Sequence, residues 1–297
     1  MSAYIFPGQG SQFPGMGKDL YEKSSEAKEL FEKANDILGF DITKMMFEGT
    51  EEDLKQTKVT QPCVFLHSVI AFKVHYSETG ETPEAVAGHS LGELSALTSA
   101  GVLAFEDGLR LVAKRAEVMQ KCCENQKSAM AAVLGLEDSV IEEICKQVTE
   151  NGDLVVAANY NCPGQVVISG AESGVEKASQ LLENAGAKRI VRLQVGGAFH
   201  SPLMKPASEE FLEAVGSAEF KVPVCPVYQN VTALATTDTA ELQRNLTAQM
   251  TSPVRWTETV KNIITKGVTQ FYECGPGNVL AGLMRKIDRG VKCSHLG

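Results

Sequence analysis

The pentapeptide Gly88-His89-Ser90-Leu91-Gly92 fits the pattern G-x-S-x-G, and it occurs once in the chain. Small residues on both sides of a serine suit a sharp strand-to-helix turn that pushes the serine into a strained, exposed backbone position. The helix start beneath it offers free N–H groups and a positive dipole end to a developing oxyanion. The chemistry would be nucleophilic attack on an acyl group; the bland alternative is a tight turn with a spectator serine. A serine alcohol is almost wholly protonated at neutral pH and needs a base. Of the 5 histidines, His89 adjoins Ser90 and its side chain should point away. His67 and His75 sit in a helical pattern that explains them as core or surface residues, and His295 lies close to the end. That leaves His200, in the small-residue loop Gly196-Gly197-Ala198-Phe199-His200-Ser201-Pro202, with a purely structural histidine as the competing reading. No Asp or Glu between serine and histidine stands in a strand-end loop, so the base could be oriented by an Asn or Gln side chain or by a backbone carbonyl.

The elements that must position these groups alternate. Tyr4-Ile5-Phe6 is a short apolar run closed by Pro7-Gly8, and helical, charge-rich sequence runs from Asp19 to Leu38. Thr60-Gln61-Pro62 looks like a helix start, with a threonine cap and proline in the first turn. Ala85-Val86-Ala87 is a buried strand before the serine and a helix runs from Gly92 to Ala100, so strand followed by helix points to an α/β chain with a parallel sheet. The middle reads differently: a strand over Met130–Leu134, a helix over Ser139–Asn151, strands over Leu154–Ala158 and Gln165–Ser169, a helix over Gly174–Ala185 and a strand over Ile190–Val195. That order is β-α-β-β-α-β, the ferredoxin-like unit. It predicts a small inserted domain over residues 126–195 inside a larger domain made of residues 1–125 and 196–297. Further on, Pro206–Val215 reads as helix, Val222–Val227 as a strand broken by prolines, Val254–Thr265 as helix and Phe271-Tyr272-Glu273 as strand.

The blocks that carry this chemistry stand in an order that resembles one family, the malonyl-CoA:acyl-carrier-protein transacylases of type II fatty-acid synthesis, related to the acyltransferase domains of polyketide synthases. The resemblance runs from Phe6 to about Lys286. It rests on Phe6-Pro7-Gly8-Gln9-Gly10-Ser11-Gln12, Gly88 to Glu93, Lys114 to Gln120 with Arg115, Asn161 to Gly170, Phe199 to Met204, Gln229-Asn230-Val231, Gln249, and Glu273 to Gly277. It implies an α/β-hydrolase-like core with a ferredoxin-like subdomain, which agrees with the pattern above. It also implies Ser90 as nucleophile, His200 as general base and Gln249 as the neutral group that orients it. The backbone N–H groups of Gln9 and Leu91 would form the oxyanion hole, Arg115 would bind the malonyl carboxylate, and Asn161 and Phe199 would lie near the substrate. Phe199 would crowd an α-methyl branch, though a core phenylalanine is equally open, and Arg115 has its own plain reading as a surface arginine on a helix. A guanidinium in a partly dry pocket would discriminate malonyl from acetyl, because acetyl leaves it unpaired. The expected reaction is ping-pong transfer from malonyl-CoA to the phosphopantetheine thiol of acyl carrier protein, with no metal and no bound cofactor. The competing functions are an acyl-thioester hydrolase using the same Ser-His pair, a polyketide-pathway acyltransferase, and a scaffold that binds carrier protein.

Composition narrows the field. The chain has 297 residues, 43% hydrophobic and 22% charged, which are ordinary globular values. Its 37 acidic against 28 basic residues give a formal charge of −9, which argues against a nucleic-acid face. No apolar run approaches the roughly 18 residues of a membrane span. No leader-like pattern opens the chain, and the expectation is a cytoplasmic monomer. The 8 cysteines include no C-x-x-C pair and read as reduced core residues; no histidine–cysteine cluster supports a metal site. Carrier proteins are themselves acidic, so docking needs a local basic patch against the global charge. Lys188, Arg189 and Arg192, together with Arg285 and Lys286, are the candidates.

Overall fold

Tyr4 and Phe6 pack on one face of a sheet and Ala3 and Ile5 on the other, and all four are fully buried. A strand covered on both faces has no polar alternation, which is why this segment reads as one apolar run. In the computed structural model, which describes residues 1–124 and 127–297, the strands are β1 (Ser2–Phe6), β2 (Ala85–Gly88), β3 (Ser128–Leu134), β4 (Val155–Cys162), β5 (Gln165–Ala171), β6 (Arg189–Arg192), β7 (Val227–Tyr228), β8 (Ala235–Thr236), β9 (Gln270–Cys274) and β10 (Lys292–Leu296). The large sheet has the order β10-β9-β1-β2-β7-β8. Every pairing in it is parallel except that of β8 with β7. The second sheet has the order β4-β5-β3-β6 with antiparallel pairings throughout. Helices Asp138–Glu150 and Glu172–Asn184 cover it. The chain is thus an α/β-hydrolase-like core carrying a ferredoxin-like β-α-β-β-α-β subdomain. The boundary expected at residue 126 lies outside the described residues.

The small sheet is tied through β4 to the segment that leads into helix Trp256–Thr265 of the large domain. The Tyr160 N–H donates to the Val254 carbonyl at 2.9 Å and the Val254 N–H to the Ala158 carbonyl at 2.8 Å. One face of the small sheet (Ala131, Val133, Ile168) packs on its own helices, while Met130, Ala132 and Val167 on the other join the main core. That second face looks toward the strand-end loops of the large sheet.

Several boundaries differ from the sequence reading. The helix expected to start at Thr60 runs from Thr57 to Thr79 and contains Pro62. Thr60 is not its cap: its hydroxyl donates back to the carbonyls of Leu54 and Gln56. The charge-rich stretch is two helices, Lys18–Lys23 and Ser25–Leu38, broken at Ser24, whose side chain caps the second. The proline-interrupted strand shrinks to Val227–Tyr228. Upstream of it, the Lys221 and Val224 N–H groups bond to the Val102 and Ala100 carbonyls instead, because Pro223 and Pro226 have no N–H for a ladder. Helix Phe105–Glu124, which carries Arg115, and the edge strand β10 had no counterpart in the periodicity reading. Cys63, Cys122, Cys123, Cys145, Cys162, Cys225 and Cys274 are buried thiols, and Cys293 is half-buried. Among the described residues no helix is long and apolar enough to cross a membrane, and no group of three or more His, Cys, Asp or Glu is placed to hold a metal ion.

Candidate active site

Ser90 sits where β2 turns into helix Gly92–Ser99. A Cβ on Gly88 would overlap the main chain of Gly92, and one on Gly92 would overlap the Phe6 carbonyl in β1. Only glycine at both positions lets strand and helix close this tightly. Between them Ser90 takes φ 53°, in the left-handed region. Among the described residues only Ser90, His200 (φ 57°) and Ala233 (φ 57°) do so without being glycine. Two of the three are the proposed nucleophile and base, and strain of this kind persists only where the surroundings hold it.

The holding groups are visible. Asn230 Oδ1 accepts from the Ser90 N–H at 2.7 Å, and its Nδ2 donates to the Gly88 carbonyl at 2.6 Å. Asn230 is fixed in turn by Glu93, whose Oε2 accepts from the Asn230 N–H at 2.7 Å and whose Oε1 accepts from Gln229 Nε2 at 3.1 Å. Glu93 is fully buried, and burial raises its carboxyl pKa against the pull of those hydrogen bonds. Sequence reading placed Glu93, Gln229 and Asn230 in family blocks without roles; their side chains form the back of the elbow.

His200 Nε2 lies 2.8 Å from Ser90 Oγ, and its Nδ1 lies 2.9 Å from the main-chain carbonyl of Gln249. A carbonyl only accepts, so Nδ1 carries the proton and Nε2 is free to take one from the serine. The neutral orienting oxygen therefore comes from the Gln249 backbone, not from its side chain. The imidazole is buried, and burial, reinforced by the Arg115 charge, pushes its pKa down to about 3. It is held neutral, ready to accept a proton.

Arg115 is buried and makes no ion pair closer than 4.0 Å to a described carboxylate, so the plain reading of a surface arginine is wrong. Its Nη1 donates to Gln61 Oε1 at 2.8 Å, and its Nη2 donates to Gln249 Oε1 at 2.9 Å and to Ser90 Oγ at 3.1 Å. Among the described residues its Nε, which is buried, finds no partner. Burial lowers its pKa to about 10, so it stays charged at neutral pH. Gln61 is a site residue that sequence reading missed; it lies between Thr60 and Pro62 in what looked like a cap.

Ser90, Arg115, Gln9, Leu91, Phe199 and His200 line one cleft of about 90 Å³, closed on the far side by Met130, Asn159, Leu193 and Val195 from the small subdomain. Among the described residues, neither the Gln9 nor the Leu91 main-chain N–H finds an acceptor. Asn161 stands apart from the cleft wall, its Oδ1 2.8 Å from His89 Nε2; Asn159, not Asn161, is the asparagine of β4 that faces the cleft. His89 is half-buried against Trp256, and its Nε2 is turned to Asn161, away from the serine hydroxyl, as its adjacency predicted. The five candidate docking cations are exposed. Arg192 is committed to Glu172 and Glu176, however.

A family model described as acyl transferase domain matches residues 3–292. The chain is 46% identical over 290 residues to the malonyl CoA-acyl carrier protein transacylase of Bacillus subtilis, covering 98% of this chain and 91% of that protein. It is 43% identical over 286 residues to the protein of the same name in Haemophilus influenzae, covering 96% and 91%. Among solved structures, an acyl carrier protein S-malonyltransferase from Vibrio cholerae superposes with a TM-score of 0.96 at 41% identity, covering 100% of this chain and 96% of that one. A malonyl-transacylase in complex with its type II polyketide synthase acyl-carrier protein matches with a TM-score of 0.96 at 39% identity, covering 99% and 95%.

Proposed function

The chain belongs to the acyl transferase domain family and, within it, to the malonyl CoA-acyl carrier protein transacylases: it moves a malonyl group from malonyl-CoA to an acyl carrier protein, and we propose that it does so through a malonyl ester on Ser90. The observation that carries this reading is the chain of contacts from the Gln249 carbonyl through His200 to Ser90 Oγ, with a buried arginine on the same oxygen. Ser90 Oγ attacks the thioester carbon while His200 Nε2 takes its proton. The oxyanion is received by the N–H groups of Gln9 and Leu91, the second of them at a helix start; a donor so placed contributes about a hundredfold or more. The C–S bond breaks, and the CoA sulfur leaves with the proton from His200. The phosphopantetheine thiol of the carrier protein then gives its proton to His200, attacks the ester, and returns Ser90 to its alcohol. Both half-reactions exchange thioester and ester, so they call for no metal and no bound cofactor.

Arg115 is the carboxylate receptor. Its bonds in the free site all go to neutral oxygens, which leaves its charge for the substrate. Phe199 narrows the cleft beside His200 against a branched acyl group, and Asn161 holds His89 behind the elbow. We place the protein in the cytoplasm as a monomer, supplying malonyl-carrier protein for fatty-acid synthesis. Carrier-protein docking would use the end of the small sheet. There Gln165 pairs with Leu134 and Leu134 with Arg189 across adjacent strands, and Lys286 Nζ lies 3.5 Å from Gln165 Oε1. That sets Lys188, Arg189 and Lys286 at one end, with Arg285 next to Lys286 in helix Val279–Ile287 and Arg192 at the margin. The test is the intact mass after incubation with malonyl-, methylmalonyl- or acetyl-CoA. A gain of one malonyl group, lost in Ser90→Ala and discharged to carrier protein, is expected. Release as free malonate in the presence of carrier protein would make the protein a hydrolase instead.

A further inference from the structure

The guanidinium assigned to the substrate carboxylate also rests on the nucleophile. Nη2 of Arg115 has two hydrogens, and both are committed: one to Ser90 Oγ at 3.1 Å, the other to Gln249 Oε1 at 2.9 Å. Nε is shut away from solvent, so a carboxylate entering from the cleft meets the two terminal nitrogens. To be held by both, it must displace one of the Nη2 bonds. The Gln249 amide is pinned, because its Nε2 donates to the Ser90 carbonyl at 3.1 Å and to Asn230 Oδ1 at 3.2 Å. The Ser90 hydroxyl is the partner that can be released.

We propose that the carboxylate of the acyl group switches the nucleophile on, by drawing Arg115 Nη2 off Ser90 Oγ as it binds. This rests on Ser90 being the residue acylated. Until then one lone pair of the oxygen is engaged by a charged donor, which lowers its reactivity toward a carbonyl. Once a carboxylate occupies the guanidinium, that lone pair is free, and the negative charge offsets the positive charge facing the imidazole that must accept the serine proton. Burial and that same positive charge both hold His200 neutral in the free site. Selectivity for a carboxylated acyl group then appears in the rate of acylation as well as in binding, since an acetyl thioester leaves the arginine on the serine.

The experiment separates the carboxylate from the acyl group. Rates of Ser90 acetylation by acetyl-CoA are measured by intact mass, with sodium formate or with sodium chloride at equal ionic strength. Formate is a carboxylate small enough to share the cleft with an acetyl group. It should accelerate acetylation by about fivefold or more, a modest part of what a charge-assisted hydrogen bond is worth. It should also slow malonylation by competition, and it should do neither in Arg115→Ala. Acetylation that is unchanged or slowed at every formate concentration overturns the proposal, as does an acceleration that persists in Arg115→Ala. If malonyl-CoA itself leaves Ser90 unlabelled, the failure belongs to the assignment of Ser90 and not to the switch.

Discussion

Replacing Ser90 by alanine and by glycine makes a pair of variants that differ by one Cβ, and the difference isolates the strain of the turn. Both lose Oγ, so both leave His200 Nε2 and Arg115 Nη2 short of the same partner. Both keep the Ser90-position N–H bond to Asn230 at 2.7 Å. What remains is the backbone at φ 53°. A residue with a Cβ in the left-handed region costs roughly 1–2 kcal/mol that glycine does not incur. Against this, glycine frees the unfolded chain by about 0.5 kcal/mol or slightly more. The net is about 1 kcal/mol in favour of glycine, although alanine is the better residue nearly everywhere else in a fold. For a chain of this size that is a shift of about 2 °C in melting temperature, and urea midpoints at constant slope should give the same order. Neither variant should carry an acyl group, so activity does not confuse the comparison. Equal stability, or Ser90→Ala more stable than Ser90→Gly, would refute the claim that the elbow stores strain at the nucleophile.

Gln249→Glu keeps the main-chain carbonyl that orients His200 but sets a carboxylate against Arg115. Malonylation should fall about a hundredfold and acetylation much less, measured as initial rates of mass gain; equal losses for the two donors would count against Arg115 as the carboxylate receptor. Stability should fall on acidification. His200 and His67 are held neutral at pKa values down to about 3 and about 4, and His89 is lowered as well, all mainly by burial. The unfolded chain therefore takes up protons below about pH 6.5 that the fold does not, at up to roughly 1.4 kcal/mol per unit for each group. The raised carboxyls of Glu93 and Glu273 act the opposite way, because the fold binds their protons first. Urea midpoints at pH 7.5 and 5.5 should show a net loss of roughly 2–4 kcal/mol, and a flat or rising profile would remove the buried histidines as the cause. Charge reversal in Lys188→Glu with Lys286→Glu should raise KM for carrier protein about tenfold while self-malonylation stays unaltered; a change in self-malonylation would place those lysines elsewhere in the mechanism.

What the sequence could disclose was whatever leaves a local pattern. The glycines around Ser90 advertise the elbow because backbone contact forbids any other residue there, and the β-α-β-β-α-β rhythm survives because each element alternates core and surface on its own. Arg115 left no such trace. It occupies a core position of helix Phe105–Glu124 among Leu111, Val112 and Met119, where a charged residue simply looks like the exposed face of an amphipathic helix. Gln61 was hidden for a related reason: Thr60 and Pro62 on either side imitate a cap, while the helix in fact begins a turn earlier. Asn161 and Asn159 show the limit of counting along a strand, since the register of β4 shifts between Ala157 and Asn159 and again between Tyr160 and Cys162.

The missing acid of the triad has a physical reason that only the three-dimensional arrangement supplies. Gln249 serves two masters at once: its main-chain oxygen orients His200, and its side-chain oxygen accepts from Arg115. A carboxylate at that point would pair with the arginine in the free site, and an incoming malonyl group would have to displace a like charge to bind. A neutral oxygen holds the imidazole in the required tautomer, and the neutral acceptors on the guanidinium leave its charge unpaired. Among the described residues the one buried carboxylate near the serine, Glu93, is turned instead onto Gln229 and the Asn230 N–H behind the elbow. There its charge helps to balance Arg115 across the site without competing for it. The same demand, a free positive charge beside a serine, thus accounts for the weak-looking orienting group, the displaced acid and the neutral acceptors around Arg115.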